Sequence, residues 1–128
     1  MKGSRIDDLL SCISRAYRHI SLTGLTPSAL AYTITRITGE LNRPALVVVP
    51  SGKDIQAYSE RLDFFLGSDT NGRTTCLEDS LFRFPSIMDG SLLFSTSHVR
   101  GIKERLESLY TILTSPKGKI FVVSSQAL

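Results

Sequence analysis

Cysteine is scarce in this chain of 128 residues: Cys12 and Cys76 stand alone, with no CxxC and no Cys/His spacing around them. Such a pattern supports neither a disulfide nor a metal site, and free thiols in a reducing, cytoplasmic setting are the expectation. Long hydrophobic runs are missing too. No apolar stretch approaches the ~18–20 residues of a membrane span. Lys2 and Arg5 precede no signal-type run, because Asp7 and Asp8 interrupt it. Charge of one sign is nowhere concentrated. The net charge of +3 is spread along the chain, and a nucleic-acid partner is not argued by it. Internal repeats, low-complexity segments and any Ser/His/Asp or Cys/His set are absent as well. What is present, 41% apolar and 21% charged residues, suits one globular domain spanning 1–128 with a single core.

Periodicity organises that domain. Ile6, Leu9, Leu10, Ile13 and Tyr17 predict an amphipathic helix over 5–18. Residues 19–23 alternate polar with apolar and are expected to form a strand. Leu30, Ile34, Ile37 and Leu41 mark a second helix, with Gly39 as its C-cap. The run Ala45-Leu46-Val47-Val48-Val49 has the character of a parallel strand covered on both faces. Ser51 is placed to cap a helix carrying Ile55, Tyr58, Leu62, Phe65 and Leu66, and 67–71 is a turn-rich loop. Short β-like pieces fall at 74–77, 81–84 and 91–94. A last helix sets Val99, Ile102, Leu106, Leu109, Tyr110 and Leu113 on one face, with Arg100, Lys103, Glu104 and Glu107 on an exposed opposite face. Residues 119–123 close the series as a buried strand.

Helices alternating with apolar strands predict an α/β fold with a largely parallel sheet and right-handed crossovers. Such folds continue into another helix after the last strand, so the end at Leu128 suggests an excised N-terminal module of a longer chain.

Within this frame, Gly24-Leu25-Thr26-Pro27-Ser28-Ala29-Leu30-Ala31 follows the outline of the phosphate-binding loop G-x-x-x-x-G-K-[ST]. In that loop, backbone amides and the helix N-terminus cradle phosphates, the lysine pairs with the β/γ-phosphates and the hydroxyl ligates Mg²⁺. Here Ala29 replaces the second glycine, Leu30 the lysine and Ala31 the hydroxyl residue, while Pro27 removes an amide. The same residues also make an ordinary strand-to-helix turn, in which Thr26 caps, Pro27 enters the first turn and Leu30 faces the core.

The order of segments resembles domain 1a of the repair protein UvrB, and still more the N-terminal region of the bacterial transcription-repair coupling factors (Mfd). The matching pieces are residues 22–26, 43–51 (Arg-Pro-Ala-Leu-Val-Val-Val-Pro-Ser), 57–65, Phe84-Pro85, 104–110 and 120–128. UvrB has an intact loop, whereas the coupling factors have a degenerate one, as at Gly24, Pro27, Ala29, Leu30 and Ala31. Residues 86–97 depart from the family pattern. The resemblance implies a RecA/P-loop-like fold and a non-catalytic module with no cofactor or metal of its own. ATP and Mg²⁺ would be bound elsewhere in the full-length protein, by a C-terminal DNA translocase that displaces stalled RNA polymerase. The module's partners would be other domains of the same chain, with UvrA recruited through the domain that follows and RNA polymerase and DNA met by others. No membrane partner is expected.

Two rival classes fit the same α/β pattern: an ATP-binding UvrB-type helicase domain, which Leu30 opposes, and a free-standing flavodoxin-like binding domain, for which no acidic cluster at strand ends is present. Remaining candidates read as structural. Lys53 and Asp54 suit a solvated first helical turn better than a nucleic-acid contact. His19 and His98 lack catalytic partners, and Glu78-Asp79 lacks the apolar strand that precedes a metal-binding acidic pair. Arg100/Glu104 and Lys103/Glu107 form i,i+4 pairs.

Overall fold

The computed structural model describes residues 5–16, 18–67, 80–84 and 96–128, with the side chains of 96–98 excepted. The elements are α1 (Arg5–Ser14), α2 (Pro27–Leu41), β1 (Ala45–Val49), α3 (Gly52–Gly67), β2 (Leu81–Phe84), α4 (Thr96–Thr114) and β3 (Ile120–Ser124). Among the described residues the three strands form one parallel sheet in the order β1-β3-β2. This is an α/β fold with a parallel sheet flanked by helices, the arrangement of RecA-like and P-loop-like domains. β3 is the central strand and every one of its residues is buried. Its β-branched and aromatic sequence, Ile-Phe-Val-Val, suits a pleat packed on both sides.

Register decides which side chains share a face. Ala45, Val47 and Val49 align with Ile120, Val122 and Ser124, and Leu81 joins them from β2. Helices α2 and α3 cover this face, giving a core of Ala31, Val49, Ile55, Leu62, Ile120 and Val122. Burying each of the large side chains contributes roughly 1.5–3 kcal/mol. The opposite face carries Leu46, Val48, Phe121, Val123, Phe82 and Phe84, of which Phe82 and Phe121 stack at 5.4 Å. Helix α4 covers it at the β2 end. The Arg105 guanidinium lies 4.1 Å from the centre of the Phe84 ring. The Ser108 hydroxyl sits 2.8 Å from both the Arg83 and Glu104 carbonyl oxygens, with one proton to donate.

Several expectations are corrected. Residues 19–23 form no strand. Ile20 and Leu22 are exposed and their neighbours His19, Ser21 and Thr23 are polar, so the segment has too little apolar surface to hold a sheet edge. Gly39 lies inside α2; the helix ends instead at Asn42, which takes the left-handed conformation at φ 47°. β1 is an edge strand covered on one face, and Leu46 and Val48 remain 59% and 50% exposed on the other. On α4, Arg100, Lys103 and Glu107 are exposed as expected, but the apolar face is exposed as well. Glu104, Arg105 and Ser108 meet the sheet, while Val99, Ile102, Leu106, Leu109, Tyr110 and Leu113 are exposed. The first helix ends at Ser14 rather than at 18: Arg15 and Ala16 form a turn, with Ala16 in the left-handed region at φ 61°, and Arg18 is not helical. Tyr17, Cys76, Glu78, Asp79, Pro85, most of the 67–71 loop and the pieces at 74–77 and 91–94 lie outside the described residues.

Candidate functional site

The loop into α2 is built by local chemistry. Gly24 takes φ 74°, a left-handed turn that a side chain would resist. Thr26 is the N-cap, extended at φ −71° and ψ 158°, and its Oγ1 accepts the Ala29 N–H at 3.2 Å. The Leu30 N–H donates to the Thr26 carbonyl at 2.9 Å. Pro27 has no amide hydrogen and sits where its fixed φ favours a helix start. Of the first four nitrogens of α2, the Ser28 N–H alone is left open. A phosphate cradle needs several converging amides; here Pro27 has none, and those of Ala29 and Leu30 are engaged by Thr26.

The residues at the positions of the loop's lysine and hydroxyl differ in burial. Ala31, in the hydroxyl position, has no exposed surface and belongs to the core. Leu30, in the lysine position, is only half-buried, as is Ala29. The expectation that Leu30 faces the core is thus corrected by one helical position, and Ala31 is the residue sealed beneath the helix. Gly24 and Pro27 are exposed.

Two open hollows flank the helices. One, of about 490 Å³, lies between the start of α2 and α3 and is lined by Ser28, Ala57, Glu60, Arg61, Phe64 and Phe65. Its charged groups are engaged on their own helix. Arg61 donates to the Ala57 carbonyl at 3.3 Å and lies 5.6 Å from the Tyr58 ring centre. Glu60 accepts from Gln56 at 2.7 Å.

The other hollow, of about 500 Å³, is bordered by Asp63, Leu81, Phe82, Arg83, Glu104, Glu107 and Ser108. Here burial pushes the Asp63 carboxyl above its ordinary value; Arg83 opposes that shift from 3.8 Å, and Glu60 adds to it. Three acids and one arginine meet here from three elements. Nothing in the sequence announced the grouping, because Asp63, Arg83 and Glu104 are separated by about twenty residues at each step.

The remaining candidates are structural where they are described. Asp54 accepts the Ser51 N–H at 3.1 Å and the Ser51 hydroxyl at 2.7 Å, closing the first turn of α3. Lys53 and His19 are exposed. Arg100 and Lys103 pair with Glu104 and Glu107 at 3.1 and 3.6 Å. At the carboxyl ends of β1 and β3, where parallel sheets bind ligands, Ser125 donates to the Pro50 carbonyl at 2.8 Å and ties the two strand ends together. Among the described residues no helix is long and apolar enough to cross a membrane.

Comparison with known proteins finds similarity over part of the chain. A stretch of 61 residues, 47% of the chain, is 39% identical to UvrABC system protein B of Pseudothermotoga lettingae. Similarity of the same extent is found to UvrABC system protein B of Caldanaerobacter subterraneus subsp. tengcongensis, at 38% identity, and of Fervidobacterium nodosum, at 34%. The match spans 9% of the length of each of these relatives. No family model matches the chain, and no solved structure does.

Proposed function

We infer that the chain is a non-catalytic scaffold module, related to UvrB domain 1a, of a transcription-repair coupling factor in nucleotide excision repair. The observation that carries this reading is the α2 loop. It keeps the turn-to-helix outline of a phosphate-binding loop but loses an amide at Pro27, with leucine at the lysine position and a core alanine at the hydroxyl position. Similarity to UvrB supports the repair context. In this reading ATP and Mg²⁺ act elsewhere in the full protein, and the module holds neighbouring domains in a cytoplasmic machine. UvrA would be met through the following domain, and RNA polymerase and DNA through others.

A second reading, an ATP-binding UvrB-type domain, is favoured by the relatives' being UvrB proteins and opposed by the loop. Strand-specific repair distinguishes the two. Ultraviolet photoproducts are followed separately on the transcribed and untranscribed strands of an induced gene, with the gene for this chain intact or disrupted. The coupling reading expects disruption to abolish the preference for the transcribed strand while overall repair continues. Loss of repair on both strands would support the UvrB-type reading instead.

A further inference from the structure

Four of the described residues take a left-handed backbone, and three of them suit it. Gly24 and Gly118 have no side chain to resist, and Asn42 is of the type that replaces glycine at a helix end. Ala16, at φ 61°, is the exception. In this conformation its Cβ crowds the following carbonyl oxygen, and alanine is the residue that most favours the right-handed helix it has just left. The break is confined to this one position. The Arg15 N–H still donates to the Ser11 carbonyl at 3.0 Å, as in a regular helix, whereas the Ala16 N–H closes a tighter turn onto the Ile13 carbonyl, also at 3.0 Å.

The residues around the break suit a longer helix. As it stands, α1 carries Asp7 and Asp8 in its first turn and no basic residue in its last. Continued to Arg18, it would end on Arg15 and Arg18, two cations at the negative end of the helix macrodipole. In the sequence, Tyr17 extends the apolar period of Ile6, Leu9, Leu10 and Ile13. Little of the fold would move with such an extension. The buried residue of α1 is Leu9, well upstream of the break, and residues 18–26, which lead to α2, are exposed.

We propose that α1 exchanges between the helix ending at Ser14 and one that runs on toward Arg18, with the backbone of Ala16 as the switch point. The cost of a left-handed alanine raises the short state toward the long one, so both are populated and a contact that favours either shifts the balance. The long state draws about 6 Å of helix out of the connection. It thereby couples the N-terminal helix to the Gly24 turn and the start of α2.

Backbone NMR shifts of the 128-residue chain test this independently of the functional reading. The Arg18 Cα shift is expected to lie between the helical and coil values. Ala16→Gly relieves the left-handed strain and weakens the helix, moving the balance toward the short state by about tenfold. It is expected to bring Arg18 to the coil value. Ala16→Val introduces a β-branched residue, strongly disfavoured at positive φ, and is expected to move Arg18 toward the helical value. Unchanged amide shifts of Val122 and Val123 in β3 report that the core is intact in both variants. An Arg18 shift at the coil value that neither variant moves would overturn the proposal, as would a fully helical parent or two variants that move Arg18 the same way.

Discussion

At Ala31 a hydroxyl would have no phosphate or cation to meet, because the Cβ is already enclosed by the core. Threonine there would turn its hydroxyl back onto the carbonyl one turn earlier, as Thr33 does to Ala29 at 2.8 Å and Thr38 to Ile34 at 2.9 Å. Its extra methyl would overpack the space beneath α2. Ala31→Thr is therefore expected to destabilise the fold by about 1–3 kcal/mol. Leu30→Lys should cost less, about 1 kcal/mol, because a half-buried stem lets the ammonium reach water. Urea unfolding midpoints give the order, and a larger loss for Leu30→Lys would show that the helix phase has been misjudged.

Asp63 supplies a pH dependence at the same scale. Its carboxyl is raised above 3.8, first by burial, against the pull of Arg83 and with the help of Glu60. The folded state thus binds the proton more tightly than the unfolded chain does. The stability this contributes is full below the unfolded value and is lost as pH rises through the folded one. Asp63→Asn keeps the shape without the charge. It is expected to be more stable than the parent at neutral pH, with the difference vanishing in acid. Urea midpoints across this range check it; a parent that gains on the variant as pH rises would mean that the Arg83 attraction outweighs burial.

At the scale of elements, two left-handed residues bring the strands in together. Asn42 ends α2 just before β1, and Gly118, at φ 69°, turns the chain into β3. A Cβ on Gly118 would lie 2.9 Å from Asn42 Oδ1, whereas one on Gly24, at φ 74°, would meet nothing within 4 Å. Both glycines escape the ~1–2 kcal/mol strain of a left-handed L-residue, but only Gly118 also avoids a contact. Gly118→Ala should consequently lower stability more than Gly24→Ala. Equal losses in thermal unfolding would remove Asn42 from the account.

These elements also mark where the sequence is legible. Apolar runs named β1 and β3, and the helical period located α2, α3 and α4, since each signal is several residues long. Thr26-Pro27 announced the start of α2 because capping is local. The strand expected at 19–23 rested on only two apolar residues, Ile20 and Leu22, too few to compete with solvent. Periodicity found the stripe of α4 but not its exposure. It could not tell Leu30 from Ala31 as the sealed position either, since one step along a helix turns a side chain by about 100°. The grouping of Asp63, Arg83 and Glu104 depends on α3, β2 and α4 converging, which no local pattern encodes.

For the whole molecule, the fold and the loop point in different directions. The parallel sheet flanked by helices is the arrangement of P-loop-like domains, while the turn after Gly24 carries Leu30 and Ala31 where a phosphate-binding loop carries lysine and a hydroxyl residue. With a net charge of +3 and no basic block, duplex DNA should bind weakly and be released at physiological salt, since affinity follows the number of phosphates neutralised. Gel shifts at rising salt would show this; binding that persists would reveal a composite basic face. The most direct test of the central claim is calorimetric titration of the chain with Mg-ATP. A charge-assisted hydrogen bond is worth ~1.5–3 kcal/mol, and the loop lacks the lysine, the metal-binding hydroxyl and the amide at Pro27. The account predicts no saturable heat up to millimolar nucleotide, whereas a dissociation constant in the micromolar range would contradict it.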